Sequence, residues 1–283
     1  MKIERLGIIP NMSKAGIEEI VSDSLKFIPE HIRVIGEEEV AGISGRIEPV
    51  DSFENADLIL ALGGDGTILH AARVVQQQEI PVMGLKIRSL GFLAEDNQSK
   101  ALEELFSGGC LIQDRMRLEA AHGKGSRRST DTALNDIVIN GVGVSRVLHI
   151  RMSIGETLLG EYLSDGVIIA TPTGSTAYSL AAGGPIIEPF NNNSIIITPL
   201  CPHSLSVRPL VISAEEKIEL EVMEAGDGIL MTKDGQAGER IELNDRITIG
   251  KSPKVTRLVV RKDYNFYTLV REKLRWGGVL RRR

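Results

Sequence analysis

Two stretches of the sequence carry residue types able to do chemistry. The first is an apolar run, Leu58-Ile59-Leu60-Ala61-Leu62, that leads straight into Gly63-Gly64-Asp65-Gly66-Thr67 and a helical pattern. A glycine-rich turn at the amino end of a helix offers unpaired backbone N–H groups and the positive end of the helix dipole to an anion. Glycine there permits close approach and positive φ. The turn therefore reads as a phosphate cradle, although its spacing is neither that of P-loop enzymes nor the GxGxxG of dinucleotide-binding dehydrogenases. A bare carboxylate beside phosphate is repelled unless it holds a metal ion or takes a proton. That makes Asp65 the catalytic candidate, with a helix-capping Asp in a tight turn as the alternative.

The second stretch follows Ser164-Asp165-Gly166 and an apolar strand over 167–170. It runs Thr171-Pro172-Thr173-Gly174-Ser175-Thr176-Ala177-Tyr178-Ser179, with Gly183-Gly184-Pro185 just beyond. So many hydroxyls on one turn suit sugar hydroxyls, amides and phosphates. Helix caps and a core tyrosine are the structural reading of the same residues, and both stay open here.

The elements that must position these residues change character along the chain. Apolar runs at 3–9, 31–35, 56–62 and 80–85 alternate with helical patterns at 17–28, 66–75 and 100–106, which predicts βαβ units and a parallel sheet. Ser13 is the expected cap of the first helix and Pro29 its end. Gly108-Gly109 breaks the rhythm, and from about Asp114 period-two segments such as ALNDIVIN, RVLHIRMSI and KIELEVM predict antiparallel β structure with one helical interruption near 175–182. The stretch YNFYTLVREKLRW reads as a strand passing into a short helix with Val270, Leu274 and Trp276 on its buried side. The expected fold class is α/β plus β. A Rossmann-like parallel α/β domain spans 1–110, a mainly antiparallel β-sandwich domain spans 111–267, and 268–283 packs back onto the first. A cleft between two such domains is the default place for a ligand.

Composition sets outer limits. The chain has 283 residues, 42% hydrophobic and 25% charged, which fits two folded domains and excludes a disordered or collagen-like chain. A net charge of -5 argues against nucleic acid as a partner, the tail Arg281-Arg282-Arg283 being the local exception. Cys110 and Cys201 stand apart without zinc or disulfide spacing, and the histidines show no pairing at metal-ligand spacing, so no protein metal site is expected. The amino terminus lacks a signal-peptide core and no stretch approaches the length of a membrane span. The expected setting is cytoplasmic, with no membrane partner.

Taken in order, Gly63-Gly64-Asp65-Gly66-Thr67, Leu134-Asn135-Asp136, the block from Asp165 through Tyr178, Gly183-Gly184-Pro185 and Asp234-Gly235-Gln236 resemble the motifs of NAD kinases. The glycine-Asp turn also occurs in lipid kinases of the diacylglycerol type and in phosphofructokinases, whereas the Ser/Thr block is far more specific. The resemblance implies transfer of a phosphoryl group from ATP, or polyphosphate, to the 2′-hydroxyl of the adenosine ribose of NAD, giving NADP. It implies Asp65 as the base or orienting group for that hydroxyl. Gly63, Gly64, Gly66 and Thr67 would hold donor phosphates. The dinucleotide would lie against Asp65, Gly66, Phe92, Asn135, Asp136, Asp165, Thr173, Thr176, Ala177, Tyr178 and Gln236. Magnesium accompanying ATP, and a homodimer or homotetramer, are further implications. A ribose hydroxyl is a weak nucleophile, so positioning and charge neutralisation are what the reaction needs. Two departures stand out: Asp136 replaces the more usual glutamate, and Lys86-Ile87-Arg88-Ser89 puts two cations beside the cradle. Arg88 could serve a polyanionic donor, and a solvated charged loop is the alternative. The rival readings are a lipid kinase and a catalytically silent NAD-sensing module.

Overall fold

The computed structural model describes residues 2–87, 91–95, 98–123, 129–236 and 238–277. The chain divides into one unit formed by Met1–Asp114 with Thr256–Arg283 and a second formed by Arg115–Val255.

The first unit is built on parallel strands β1 (Arg5–Pro10), β2 (Arg33–Gly36), β3 (Ile47–Pro49), β4 (Leu58–Gly63) and β5 (Val82–Lys86), in the order β5-β4-β1-β2-β3. The register places Leu60 between Ile8 and Met83. Every residue of β4 is buried, as expected for a central strand covered on both faces. Its alternation assigns the two layers. Leu58, Leu60 and Leu62 face helices α1 (Ile17–Leu25) and α4 (Gln98–Ser107), with Ile17, Val21, Leu25 and Leu102 in the same core. Ile59 and Ala61 face the other way, toward α3 (Asp65–Val74) through Ile68 and Ala71. Each such aliphatic side chain taken fully out of water contributes about 1.5–3 kcal/mol. The short α2 (Glu38–Ala41) links β2 to β3.

The second unit carries β6 (Cys110–His122, entering from the first unit), β7 (Ser129–Ala133), β8 (Asp136–Gly141), β9 (Leu148–Ile154), β10 (Thr157–Ser164), β11 (Gly166–Ala170), β12 (Ser194–Leu200), β13 (Leu210–Ser213), β14 (Ile218–Ala225), β15 (Ile229–Lys233), β16 (Glu239–Ile241) and β17 (Arg246–Arg261, returning to the first unit). One antiparallel sheet has the order β13-β12-β11-β8-β15-β16, and β10-β9-β14-β17 form another antiparallel run. Ile137, Ile139, Val167, Ile169 and Ile197 from the first sheet meet Ile150, Met152, Leu220 and Ile247 from the second in one core. The opposite face of the first sheet is also closed, because Val138, Ile168 and Ile196 pack under Ala182 and Ile187. That cover pins the hydroxyl-rich segment onto β11.

Some sequence expectations are corrected. Ser13 does not cap α1, whose N-cap is Gly16 in the left-handed region; Ser13 bonds the Asn11 carboxamide oxygen instead. The helical interruption is one 3-10 turn, Gly174–Thr176, and a single helical turn, α5 (Tyr178–Ala181). The closing segment is no strand before its helix. Tyr264 lies in a loop, and α6 (Phe266–Leu274) is capped by Asn265, whose side chain accepts from the Thr268 N–H at 2.9 Å. Phe266 is the buried residue of α6, whereas Trp276 is exposed, because the left-handed Arg275 ends the helix before Trp276 can reach the apolar side.

Candidate functional site

In the first unit the glycine turn joins the end of β4 to the start of α3, at the carboxyl edge of a parallel sheet where nucleotides are commonly held. The N-cap is Gly64, and Asp65 is the first residue of the helix. Its carboxylate does not cap the helix. Oδ2 accepts the Phe92 N–H at 2.7 Å and Oδ1 the Leu93 N–H at 3.1 Å, so a distant loop fixes both oxygens. The glycines work by close approach, and none of Gly63, Gly64 and Gly66 uses positive φ. A Cβ on Gly63 would lie 2.0 Å from Thr67 Oγ1, and one on Gly91 would lie 2.2 Å from Asp65 Oδ1. A Cβ on Gly66 would meet no atom within 4 Å, so the space over the first helical turn is open. Thr67 is buried and its N–H closes onto the Gly64 carbonyl at 2.9 Å. Phe92 is half-buried, its ring 6.4 Å from that of Phe266 and 5.0 Å from Lys273 Nζ. Arg88 lies outside the described residues.

In the second unit Asn135 and Asp136 lead into β8. The connection from β15 to β16 opens with Asp234 and Gly235 at φ 51° and 65°, and the Gln236 N–H returns to the Lys233 carbonyl at 2.9 Å. This is the type I′ geometry that Asp-Gly favours. The turn aims the Asp234 carboxylate at a row of backbone donors, the N–H groups of Leu134 (3.0 Å), Asn135 (2.6 Å) and Asp136 (3.3 Å). Asp234 is thus a clamp on the segment carrying Asn135 and Asp136. The Asp-Gly pair signals the turn in sequence, but nothing local reveals what the carboxylate holds. Gln236 itself is exposed.

Burial first, and the Asp234 charge second, raise the Asp136 carboxyl from 3.8 to about 7. Burial also raises Asp234, opposed by the three N–H groups and Arg117. Asp234 therefore keeps the negative charge and Asp136 is the member that takes the proton. Asn135 is buried, and its Oδ1 has no hydrogen-bond partner. A buried acceptor of this kind costs about 1–3 kcal/mol unless a ligand or water meets it.

The hydroxyl block is largely self-bonded. Thr171 Oγ1 donates to the Leu134 carbonyl at 2.6 Å and accepts the Gly174 N–H at 3.0 Å, and Ser175 Oγ donates to the Pro172 carbonyl at 2.7 Å. Gly174 is needed because its Cβ would lie 2.0 Å from the Asn135 carbonyl oxygen, which locks the block to the 134–136 segment. Thr173 is buried, Thr176 and Ala177 are half-buried, and Tyr178 is exposed. Thr176 Oγ1 donates to the Thr173 carbonyl at 3.3 Å. Tyr178 and Asp165 line a common open pocket of about 400 Å³ with Asn140, Arg146 and Cys201. The structure thus brings Asn135, Asp136, Thr173 and Thr176 together around one locked turn, and pairs Asp165 with Tyr178.

Residues 12–108 match the ATP-NAD kinase N-terminal domain family and residues 134–260 the ATP-NAD kinase C-terminal domain family. An NAD kinase of Moorella thermoacetica is 38% identical over 283 residues, covering 98% of this chain and 91% of the relative. One of Thermoanaerobacter sp. strain X514 is 39% identical over 281 residues, covering 96% and 99%. Among solved structures, yeast NADH kinase complexed with NADH superposes with a TM-score of 0.91 at 25% identity, covering 100% of this chain and 91% of that one. An Archaeoglobus fulgidus NAD kinase in complex with ATP shares the fold, with a TM-score of 0.73 at 24% identity over 97% and 100% of the two chains. With both halves matched, and close relatives aligned along nearly the whole length, the chain belongs to the NAD kinase family.

Proposed function

We propose that this enzyme transfers the terminal phosphoryl group of ATP to the 2′-hydroxyl of the adenosine ribose of NAD, forming NADP and ADP, with Asp65 as the group that receives or orients the hydroxyl proton. The observation carrying this reading is the bracing of Asp65 by the Phe92 and Leu93 N–H groups at the head of α3. A carboxylate used only as a cap would bond its own helix. This one is held from outside, with lone pairs left on both oxygens to accept from a substrate hydroxyl. The new bond joins the ribose 2′-oxygen to the γ-phosphorus as the bond to the β,γ-bridging oxygen breaks. Developing charge on the transferred group falls beside the open first turn of α3, whose N–H groups and dipole favour it.

Magnesium fits the donor set at this turn. It needs only one or two carboxylates when phosphates and water supply the other ligands, and Asp65 offers one. When bound it would neutralise phosphate charge. The dinucleotide would rest on the second unit's locked turn, with the orphaned Asn135 oxygen, Asp136, Thr173, Thr176 and Ala177 meeting its polar groups. Asp165 and Tyr178 would line the pocket beside them. Leu159 on edge strand β10 and Leu210 on edge strand β13 line one pocket, and Leu158, Leu163 and Val211 are exposed on the same two strands; this apolar edge of the second unit supports a homo-oligomer.

NADP formation from NAD with ATP and magnesium tests the reading, with polyphosphate, NADH and diacylglycerol as alternative substrates. Asp65→Asn keeps the size and removes the charge, so turnover falls by about 10²- to 10⁴-fold while NAD still binds by calorimetry. Near-normal turnover in that variant would remove Asp65 from the chemistry. Phosphorylation of diacylglycerol in place of NAD would overturn the substrate.

A further inference from the structure

We propose that the second unit carries a transition-metal site made by His122, Asp131 and Glu239, separate from the residues assigned to phosphoryl transfer. His122 ends β6 and Asp131 lies on β7, where the register sets Ala120 opposite Asp131 and His122 opposite Ser129. Positions 120 and 122 share a face, so His122 and Asp131 are diagonal neighbours within reach of one another. Glu239 begins β16 and is brought to them from the other sheet of the unit.

The geometry is that of converging ligands. His122 Nε2 lies 3.5 Å from Asp131 Oδ2 and 3.3 Å from Glu239 Oε2, and the three atoms lie within 4.8 Å of one another. The His122 side chain is only 6% exposed, yet its Nε2 has no hydrogen-bond partner, and neither does the buried Asp131 Oδ2. Two buried polar atoms therefore face each other and a third carboxylate without the bonds that would normally satisfy them. Such orphans are rare unless water or an ion supplies the missing partner.

The separations and the donor types favour a tetrahedral dication. Ligands bound tetrahedrally at about 2.0–2.1 Å sit about 3.3–3.4 Å apart, close to the 3.5 and 3.3 Å that separate His122 Nε2 from the two carboxylate oxygens. An octahedral magnesium ion at the same bond length would draw neighbouring ligands to about 2.9 Å. One imidazole and two carboxylates suit zinc or a similar first-row dication, with water completing the shell. Lys233 Nζ holds the other oxygen of Asp131 at 2.6 Å, fixing that carboxylate with Oδ2 toward His122. The two carboxylates and the ammonium leave one net negative charge for the cation. Because Lys233 and Glu239 flank the turn opened by Asp234, an ion here would tie the β6–β7 hairpin to the turn whose other end clamps 134–136.

Titration of the metal-stripped full chain with Zn²⁺ decides the proposal without any activity readout, and so independently of the kinase assignment. One equivalent binds, the melting temperature rises on binding, and Co²⁺ in its place gives the intense visible absorption of a tetrahedral centre. His122→Gln and Glu239→Gln each weaken Zn²⁺ at least tenfold and abolish the thermal shift. Glu239 is half-exposed, so Glu239→Gln serves even if the buried His122 variant fails to fold. His149, whose Nε2 lies 3.2 Å from Glu161, is the competing pair, and His149→Gln leaves binding unchanged. Unaltered affinity in Glu239→Gln, loss of binding in His149→Gln, or only a weak octahedral cobalt spectrum would each overturn the site.

Discussion

At the scale of single residues, the environment of Asp136 departs far from what its type suggests. As an exposed aspartate it would be a permanent anion. Buried beside Asp234, its carboxyl titrates near 7 in the folded chain against 3.8 as the reference. The folded state thus holds a proton that the unfolded state has released, so stability falls as pH rises between about 4 and 7 and is level above that. Asp136→Asn copies the protonated form. Its denaturant midpoint therefore exceeds that of the parent at pH 8 by the equivalent of a few kcal/mol, and the difference shrinks toward pH 4. A pH-independent difference would mean that Asp136 is charged in the fold. For function, Asp136→Glu stays active, whereas Asp136→Ala raises KM for NAD and leaves KM for ATP nearly untouched. That is the pattern for an interaction made equally in ground and transition states.

At the scale of elements, the start of α3 separates two uses of glycine. Gly91 gives way to the Asp65 carboxylate, and an added methyl would sit 2.2 Å from Oδ1. Gly91→Ala therefore displaces the carboxylate proposed to receive the hydroxyl proton without altering its atoms, and kcat falls at least tenfold with the melting temperature lowered only modestly. Gly66 faces open space. Gly66→Ala gains up to about 1 kcal/mol of helix propensity, so the chain melts no lower than the parent. If phosphates approach the first turn, KM for ATP rises in the same variant. A variant both more stable and kinetically unchanged would show that the donor does not approach there.

At the scale of the whole molecule, the apolar edge of the second unit predicts association. Sedimentation at micromolar concentration gives a dimer or tetramer, and Leu159→Glu, which places a charge on a half-exposed leucine of β10, lowers the mass. A monomeric parent chain would refute this. Among the described residues no helix is long and apolar enough to cross a membrane.

The amino-acid sequence by itself determined the features that are local in the chain. The strand-glycine turn-helix at 58–74 is written in consecutive residues, as is the change from helical to period-two patterning near 114. Periodicity follows from backbone geometry, so it survives translation into structure. Ser13 failed as a cap because the chain reaches α1 through the left-handed Gly16, and Trp276 failed as a core residue because α6 ends at Leu274, two residues before it. Contacts between distant residues were decided only by the tertiary structure. The bracing of Asp65 by backbone N–H groups leaves no trace in side-chain types, since any residues at 92 and 93 except proline could donate. The clamp of Asp234 on 134–136 joins strands that are neighbours in the fold and far apart in sequence, and Glu239 reaches the β6–β7 pair from the other sheet. Such meetings are fixed by strand order and register, which the packing of two hydrophobic faces selects and no local spacing encodes.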